Sequence, residues 1–413
     1  MKRTPIYPTY MFIRLINPLL RKKTSPCNYF TLRTQKGEKN STTMETDREF
    51  MLRAILVGEK GRTSTAPNPW VGCIITKSGR IISEGFHSMK GGPHAEVEAL
   101  QRLQRYDEAE GSTVYVTLEP CCHFGSTPPC VGALIAAKVA RVFVAIGSDP
   151  DPNVNGGGVE ILRKAGIEVI TGLCEGEARN SLRAYLHHRK SGRAYVVAKV
   201  GTSINGSVAF SDGSSKWITS EKSREEAMRI RHESQAILVG VGTVLRDNPR
   251  LTLRGSEGLK RGILPFVRCV IDPSAKLENP ENKSLNILSD NKGPVIVFTQ
   301  KEAPSYTGQV EWIQMPEGIS LSRILEILGQ RGCLQLLVEG GPTTLSRFID
   351  DKLLNELTTF IAPVLIGSGG LSFFNGLNPM SITAPTPRFR PVNVKQVPDG
   401  DGDIRIDYNY SEN

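Results

Sequence analysis

The segments Pro93-His94-Ala95-Glu96 and Glu119-Pro120-Cys121-Cys122-His123-Phe124-Gly125-Ser126-Thr127-Pro128-Pro129-Cys130 decide how this chain is read. A hydrolytic zinc site takes three protein ligands and leaves one position for water. His94, Cys121 and Cys130 supply one imidazole and two thiolates in that order. They neutralise the formal charge of the metal while leaving it able to acidify water toward a pKa of about 7. Cys130 follows two prolines and precedes an apolar run, so it falls in the first turn of a helix, where unpaired N–H groups favour a thiolate. His94 also stands at a helix start, so two helix N-termini converge on one ion. Glu96 lies off the side face of a regular helix relative to His94. In a first turn, however, its carboxylate can still reach a site beyond the helix end, take a proton from water and pass it to a departing amine. Zinc nucleobase deaminases use the same H-x-E and Pro-Cys elements, though here eight residues rather than two separate the cysteines.

A lone histidine at a helix start is ordinarily a cap or a packing residue; the ordered set of three ligands makes the metal reading. Cys122 and His123 are rival ligands. Neighbouring residues tend to point apart, and a further ligand would close the open position. His123 reads as loop or substrate-pocket structure.

Outward from this motif, the elements alternate. Apolar residues Phe50, Met51, Ala54, Ile55 and Val57 recur at helical spacing. Val71–Thr76 and Ile81–Gly85 read as strands joined by a turn at Ser78-Gly79-Arg80. A helix is expected after Pro93, a buried strand at Thr113–Leu118, a helix at Val131–Ala140 and a strand at Arg141–Gly147. Another helix and strand follow at Val159–Ala165 and Ile167–Thr171. This alternation implies an α/β sandwich with helices on both sheet faces. Polarity rises over His187–Ala194 and a fresh strand begins at Tyr195, which places a domain boundary near Gly192. The second half alternates again. Strands are expected near 236–239, 267–271, 295–298, 334–338 and 357–361, and helices near 221–232, 321–329 and 343–350.

Net charge is +9 over 413 residues, and its location matters. Residues 1–43 hold nine Lys or Arg and one acid, Glu38, so the other 370 residues carry only +1. A nearly neutral body argues against a nucleic-acid surface. No run approaches the roughly 20 apolar residues of a membrane span. The basic, acid-poor residues 1–45 stand apart from the fold. Two readings remain for them: an organelle transit peptide, which would place the protein in a plastid, or a disordered or over-called extension preceding a start at Met44 in a cytoplasmic protein. The eight cysteines lack the even spacing of a secreted disulfide scaffold, which points to a reducing compartment and one metal site.

Leu336-Leu-Val-Glu-Gly-Gly-Pro-Thr-Thr-Leu345 reads as an apolar strand, two glycines and a helix opened by proline. Glycines allow close backbone approach, and a helix N-terminus attracts phosphate. Taken alone, an ordinary tight turn explains the segment equally well.

These segments, with Pro67-Asn-Pro-Trp-Val-Gly-Cys73, resemble the bifunctional riboflavin-biosynthesis deaminase/reductase family, in which the long spacer between the cysteines is a hallmark. Lys199–Gly206, Ser215–Ser220, Thr243–Pro249 and Val338–Thr343 extend the resemblance across roughly Glu49 to Ile406. It implies a cytidine-deaminase-like three-layer sandwich over residues 46–192, followed over 193–413 by a dihydrofolate-reductase-like α/β domain. It also implies one Zn2+ per chain, NADPH, and a small pyrimidine ribosyl phosphate as substrate. The pyrimidine would be deaminated hydrolytically and its ribosyl chain then reduced to ribityl. The alternative is a deaminase whose reductase half is only structural. A homo-oligomer is expected.

By the same resemblance, Asn68 contacts the pyrimidine. Gly341, Pro342, Thr343, Thr344, Leu345, Ser346 and Arg347 cradle the dinucleotide, with Thr202, Trp217, Thr243 and Asp247 also touching it. Ser215, Arg231, Leu251, Arg254 and Glu339 hold the substrate. Two arginines suit a sugar phosphate because a guanidinium forks onto its oxygens; solvated surface charge is the bland reading of both. Trp217 is either core or cleft, and its polar setting favours a cleft. Two positions depart from the family pattern: Cys122, where serine is common, and Pro273, where a serine often stands near the cofactor.

Overall fold

The computed structural model describes residues 43–125, 127–151, 157–255, 262–302, 310–374 and 387–411. The basic extension expected over residues 1–45 falls almost wholly outside them, and so does the question of a transit peptide. In the first half of the chain the elements are α1 (Thr43–Gly58), β1 (Gly72–Lys77), β2 (Arg80–Phe86), α2 (Ala95–Gln101), β3 (Thr113–Leu118), α3 (Cys130–Ala136), β4 (Arg141–Ile146), α4 (Gly158–Lys164), β5 (Glu168–Thr171), α5 (Glu175–Ser181) and α6 (Arg183–Ser191). The sheet order is β2-β1-β3-β4-β5. β1 is antiparallel to both its neighbours, and β3, β4 and β5 are parallel. Ser78 and Gly79 both take positive φ between paired Lys77 and Arg80, the turn that a two-residue hairpin requires.

Side-chain alternation makes this sheet the middle of three layers. Ile74, Tyr115 and Phe143 pack with Met51, Ala54 and Ala178 of α1 and α5. Their neighbours Cys73, Ile75, Val114, Val116, Val142 and Val144 pack on the other face with Ala99, Leu134 and Leu162 of α2, α3 and α4. Strands apolar on both faces are what a sheet covered on both sides demands.

The second half contains β6 (Tyr195–Ser203), β7 (Ser207–Ala209), α7 (Glu221–Glu233), β8 (Ala236–Gly240), α8 (Val241–Asp247), β9 (Val267–Ile271), α9 (Asn286–Ser289), β10 (Val295–Thr299), β11 (Val310–Gln314), α10 (Leu321–Gln330), β12 (Gln335–Val338), α11 (Pro342–Asp350), β13 (Glu356–Ala362), β14 (Leu371–Ser372), β15 (Arg388–Gln396) and β16 (Ile404–Ser411). Nine strands form one sheet in the order β11-β10-β9-β8-β12-β6-β13-β16-β15. All pairs from β11 to β13 are parallel, and β16 and β15 add antiparallel strands at one edge. β8 and β12 are neighbours, so their C-terminal ends open side by side, where parallel α/β sheets form ligand crevices.

Several elements depart from the pattern read in the sequence. The helix expected to run to Ala140 stops at Ala136, and the turn passes through Lys138 at positive φ. The polar stretch from His187 continues α6; its basic last turn suits a helix C-terminus, and Gly192 ends it at φ 72. β15 and β16 have no counterpart in the sequence pattern, since β15 is mostly exposed and carries no apolar stripe. Among the described residues no helix is long and apolar enough to cross a membrane.

The two sheets are pinned together. One continuous apolar core joins Tyr185 and Leu182 to Tyr195, Ile237 and Leu337. Arg183 Nε lies 2.8 Å from Glu356 Oε2, and His188 Nε2 meets the Gly329 carbonyl at 2.9 Å. Gly85 lies directly beneath α2: a Cβ there would stand 2.4 Å from the Ala95 carbonyl oxygen and 2.4 Å from the Ala99 nitrogen. The substitution Gly85→Ala must lift α2 from the sheet. It is expected to destabilise the protein by about 1–3 kcal/mol, seen as a lowered midpoint in thermal denaturation.

Candidate active sites

α2 opens at the position of His94, its N-cap residue, in extended backbone. The strand β3 then delivers Cys121, and α3 begins at Cys130. His94 Nδ1 lies 3.3 Å from Cys121 Sγ and 3.3 Å from Cys130 Sγ. These three groups lie within 4.8 Å of one another. A tetrahedral zinc with its usual N and S bond lengths sets an N···S edge of about 3.6 Å, so the donor set fits that ion. Among the described residues, Cys122 and His123 are absent from the cluster. The Cys122 sulfur turns toward Gly157, and His123 lines the cleft wall.

One electrostatic detail differs from expectation. The backbone N–H of Cys130 is given to Cys121 Sγ at 3.3 Å, so the start of α3 serves the other sulfur. The Cys130 thiol, that N–H and His94 together hold Cys121 at about 4, despite burial. The same sulfur contact, with burial, pushes Cys130 well above the ordinary thiol range. Glu96 is 3 % exposed. Burial, reinforced by the Cys121 charge, pushes its carboxyl up to about 7, the range in which a group both takes and gives a proton.

The cleft over this cluster has a volume of about 270 Å³ and is lined by Asn68, His87, Glu96, His123, Thr127 and Asp149, among others. Asn68 Nδ2 meets His87 Nε2 at 3.1 Å. Burial lowers the His87 pKa, which favours the neutral ring. The far wall comes from the loop after β4 and from α6. The Tyr185 hydroxyl donates to the Asp149 carboxylate at 3.0 Å, and Arg189 pairs with Asp151 at 2.7 Å. Arg189 Nη2 also donates to the Pro67 carbonyl at 2.8 Å, bracing the segment that carries Asn68. The sequence singled out none of His87, Asp149, Tyr185 and Arg189. They are single polar residues without a spacing signal, and only the fold gathers them.

In the second half, Gly341, Pro342, Thr343, Thr344 and Arg347 line a crevice of about 370 Å³ with Gly240, Thr243 and Pro273. Asp247 and Ser215 line an adjoining crevice of about 790 Å³, and Arg246 and Leu371 border both. No side chain caps the N-terminus of α11, and Cβ atoms at Gly340 or Gly240 would meet Thr344 at 2.7 or 2.9 Å. Bare backbone amides at a helix start suit a dinucleotide phosphate. Not every residue expected at the cofactor faces the crevice. Leu345 and Ser346 lie on the buried side of α11, and Thr202 is buried in β6 with its hydroxyl 3.2 Å from the carbonyl oxygens of both Ser203 and Ser207. Trp217 is 68 % exposed under the Arg224 guanidinium, which removes the core reading.

Arg231 is buried rather than a solvated surface charge, and it grips Glu339 with contacts of 2.8 and 2.9 Å. Its Nη1 donates to the Thr252 carbonyl at 2.8 Å. Leu251 is buried at φ 52 just before this carbonyl, whereas the Arg254 side chain is exposed. Lys199, which the sequence reading left without a role, stands 3.5 Å from Glu339. Burial alone would raise the Glu339 pKa, but the Lys199 and Arg231 charges outweigh it and hold the carboxyl at about 2.

A deaminase-type metal cleft and a dinucleotide crevice in one chain define a bifunctional deaminase and reductase. Residues 44–146 match the cytidine and deoxycytidylate deaminase zinc-binding region, and residues 194–400 match the RibD C-terminal domain. The riboflavin biosynthesis protein RibD of Chlamydia pneumoniae is 42% identical over 327 residues, covering 77% of this chain and 85% of its own length. That of Escherichia coli is 38% identical over 364 residues, covering 85% and 96%. The solved structure of a Thermotoga maritima diaminohydroxyphosphoribosylaminopyrimidine deaminase/5-amino-6-(5-phosphoribosylamino)uracil reductase superposes with a TM-score of 0.79 at 36% identity, covering 90% of this chain and 100% of its own. Acinetobacter baumannii RibD gives 0.78 at 35% identity, covering 89% and 100%. The chain belongs to the RibD family of bifunctional deaminase/reductases of riboflavin biosynthesis, which use zinc and NADPH.

The Glu339 cluster predicts a pH signature. Its carboxyl titrates near 4.5 when unfolded and about 2 when folded, so its stabilisation is complete above 4.5 and lost as pH falls through 2. Glu339→Gln is expected to cost about 3 kcal/mol at neutral pH by leaving buried charge unpaired. Denaturant titrations at stepped pH should show that deficit shrinking below 4.5 and closing near 2.

Proposed function

We propose that His94 Nδ1, Cys121 and Cys130 hold the zinc and that Glu96 carries protons in the deamination. The convergence of these three donors beside a buried carboxyl supports the reading. When bound, zinc with an open position activates the water that attacks the amine-bearing pyrimidine carbon. Glu96 accepts one proton of that water on a carboxylate oxygen and returns it to the amine nitrogen, which leaves as ammonia, while the other water proton moves to the adjacent ring nitrogen so that a carbonyl remains. Asn68 holds the pyrimidine edge. The substrate is the diaminopyrimidinone ribosylamino phosphate.

In the second half we assign the dinucleotide to the crevice between α8 and α11. Gly341, Pro342, Thr343, Thr344 and Arg347 flank it, Leu345 and Ser346 contribute as part of the α11 backbone, and Thr202, Trp217, Thr243 and Asp247 stand around it. When bound, the nicotinamide supplies hydride to the opened ribose carbon. Glu339, held ionised by Lys199 and Arg231, fixes the substrate together with Arg231 itself, Ser215, Leu251 and Arg254. Its fixed orientation suits positioning rather than proton donation.

We divide the chain near Gly192, with deaminase residues at 46–192 and reductase residues at 193–413. Self-association is the proposed quaternary state: β15 is an edge strand that leaves Val392 53% and Val394 62% exposed. A body of net charge +1 leaves nucleic acid outside the proposed partners. No disulfide joins any of the seven described cysteines, which suits a reducing cytoplasm, and the relatives named above are bacterial, which lends no support to a plastid.

Glu96→Gln is expected to slow deamination by roughly 10²–10⁴-fold while NADPH-dependent reduction of supplied deaminated intermediate continues at the parent rate. Stripping zinc with a chelator should give the same division, read by product mass and by NADPH absorbance. Retained deamination after either treatment would remove the assignment.

A further inference from the structure

We infer that His87 sets the orientation of the Asn68 amide and thereby decides which hydrogen-bonding edge of a pyrimidine the deaminase cleft accepts. The inference rests on the reading of Asn68 as a substrate contact and deepens it.

His87 follows β2 and is 3 % exposed, with its backbone N–H given to the Val71 carbonyl at 3.0 Å. Its Nδ1 stands 2.9 Å from the Pro93 carbonyl oxygen. A carbonyl oxygen only accepts, so the proton of the ring sits on Nδ1 and Nε2 is left with its lone pair. That lone pair faces Asn68 Nδ2 at 3.1 Å, and the amide nitrogen donates to it. The tautomer demanded by Pro93 therefore fixes the amide: its nitrogen is drawn to His87, and Oδ1 is the acceptor it can offer the cleft. A flipped amide would set oxygen against a lone pair.

The main chain is also held before any substrate arrives. The Asn68 N–H reaches the Thr65 carbonyl at 2.9 Å, and Arg189 grips the carbonyl of Pro67. Pro93 directly precedes the metal ligand His94, so one imidazole links the metal-binding turn to the substrate amide. An acceptor fixed in this way selects a ligand edge that carries a ring N–H or an exocyclic amine. His87 is thus a positioning residue acting through Asn68.

Two substitutions separate the two nitrogens of the ring. His87→Asn places an amide nitrogen near Nδ1, keeps the Pro93 bond and removes the acceptor for Asn68. His87→Gln extends an amide oxygen toward the place of Nε2 and restores that acceptor. Expected for His87→Asn is a rise in deamination KM of about 10-fold, the worth of one good hydrogen bond, with a smaller change in kcat. His87→Gln should recover most of that loss. Competitive binding of a pyrimidine analogue without the donor edge, compared with one that has it, should discriminate in the parent and lose discrimination in His87→Asn. Bound zinc and reduction of supplied intermediate, measured on the same full-length chains, report whether each variant is folded. Equal behaviour of the two folded variants, or unchanged KM and discrimination in His87→Asn, overturns the role of His87. Asn68→Ala serves as the separate arm: unchanged KM there overturns the substrate contact itself, and a raised KM with a silent His87→Asn overturns only the clamp.

Discussion

One point in space organises the deaminase half: the place where His94 Nδ1 comes within 3.3 Å of two sulfurs. Three chain segments must arrive there at once, and each is committed by a constraint some distance away. α2 can carry His94 and Glu96 to it only because Gly85 lets the helix backbone lie against β2. Cys121 reaches it as β3 ends, and Cys130 as α3 begins after two prolines that cannot continue a strand. The sandwich is a rigid mount for these three arrivals. Preorganisation of this kind lets a water molecule, an acid and a substrate carbon meet without rearrangement.

The ligand set was legible because metal chemistry restricts residue type and order severely. His94, Cys121 and Cys130 announced themselves through their neighbours, and Glu96 followed from its nearness to His94. The alternation of strands and helices was also legible, since β1, β3 and β4 are apolar on both faces and short. The failures have physical causes. β15 and β16 form an edge ribbon whose side chains stay half in water, so no periodic burial marks them. The polar run at His187 marks a boundary in the sequence without revealing that it is the end of α6, because a helix C-terminus and a loop attract the same basic residues. The expectation that the start of α3 serves the Cys130 thiolate does not foresee that the Cys130 backbone N–H is given to Cys121 Sγ, which depends on a chain reversal invisible in one dimension.

The reductase crevice shows the same division. Its glycine and proline turn was readable, but which residues of α11 face outward was not, because the resemblance supplies a continuous segment while a helix exposes only one side. Leu345 and Phe348 turn inward to the core. Glu339 gained its meaning only with Lys199 and Arg231 around it. Two cations beside one carboxylate compensate for its desolvation and keep it ionised just beyond the C-terminal end of β12. Arg231 is therefore already committed to Glu339, an engagement that the resemblance alone did not reveal.

The short helix α6 carries His188 against a carbonyl of α10 and Arg189 against the carbonyl of Pro67. A rivet of this kind ties the history of the two catalysts together. Each half must drift in step with the other's surface, because a changed turn near Gly329 would be felt at the pyrimidine seat on the opposite side of the seam. Hybrid chains assembled from distant cousins would inherit two sound engines and a poorly matched coupling between them.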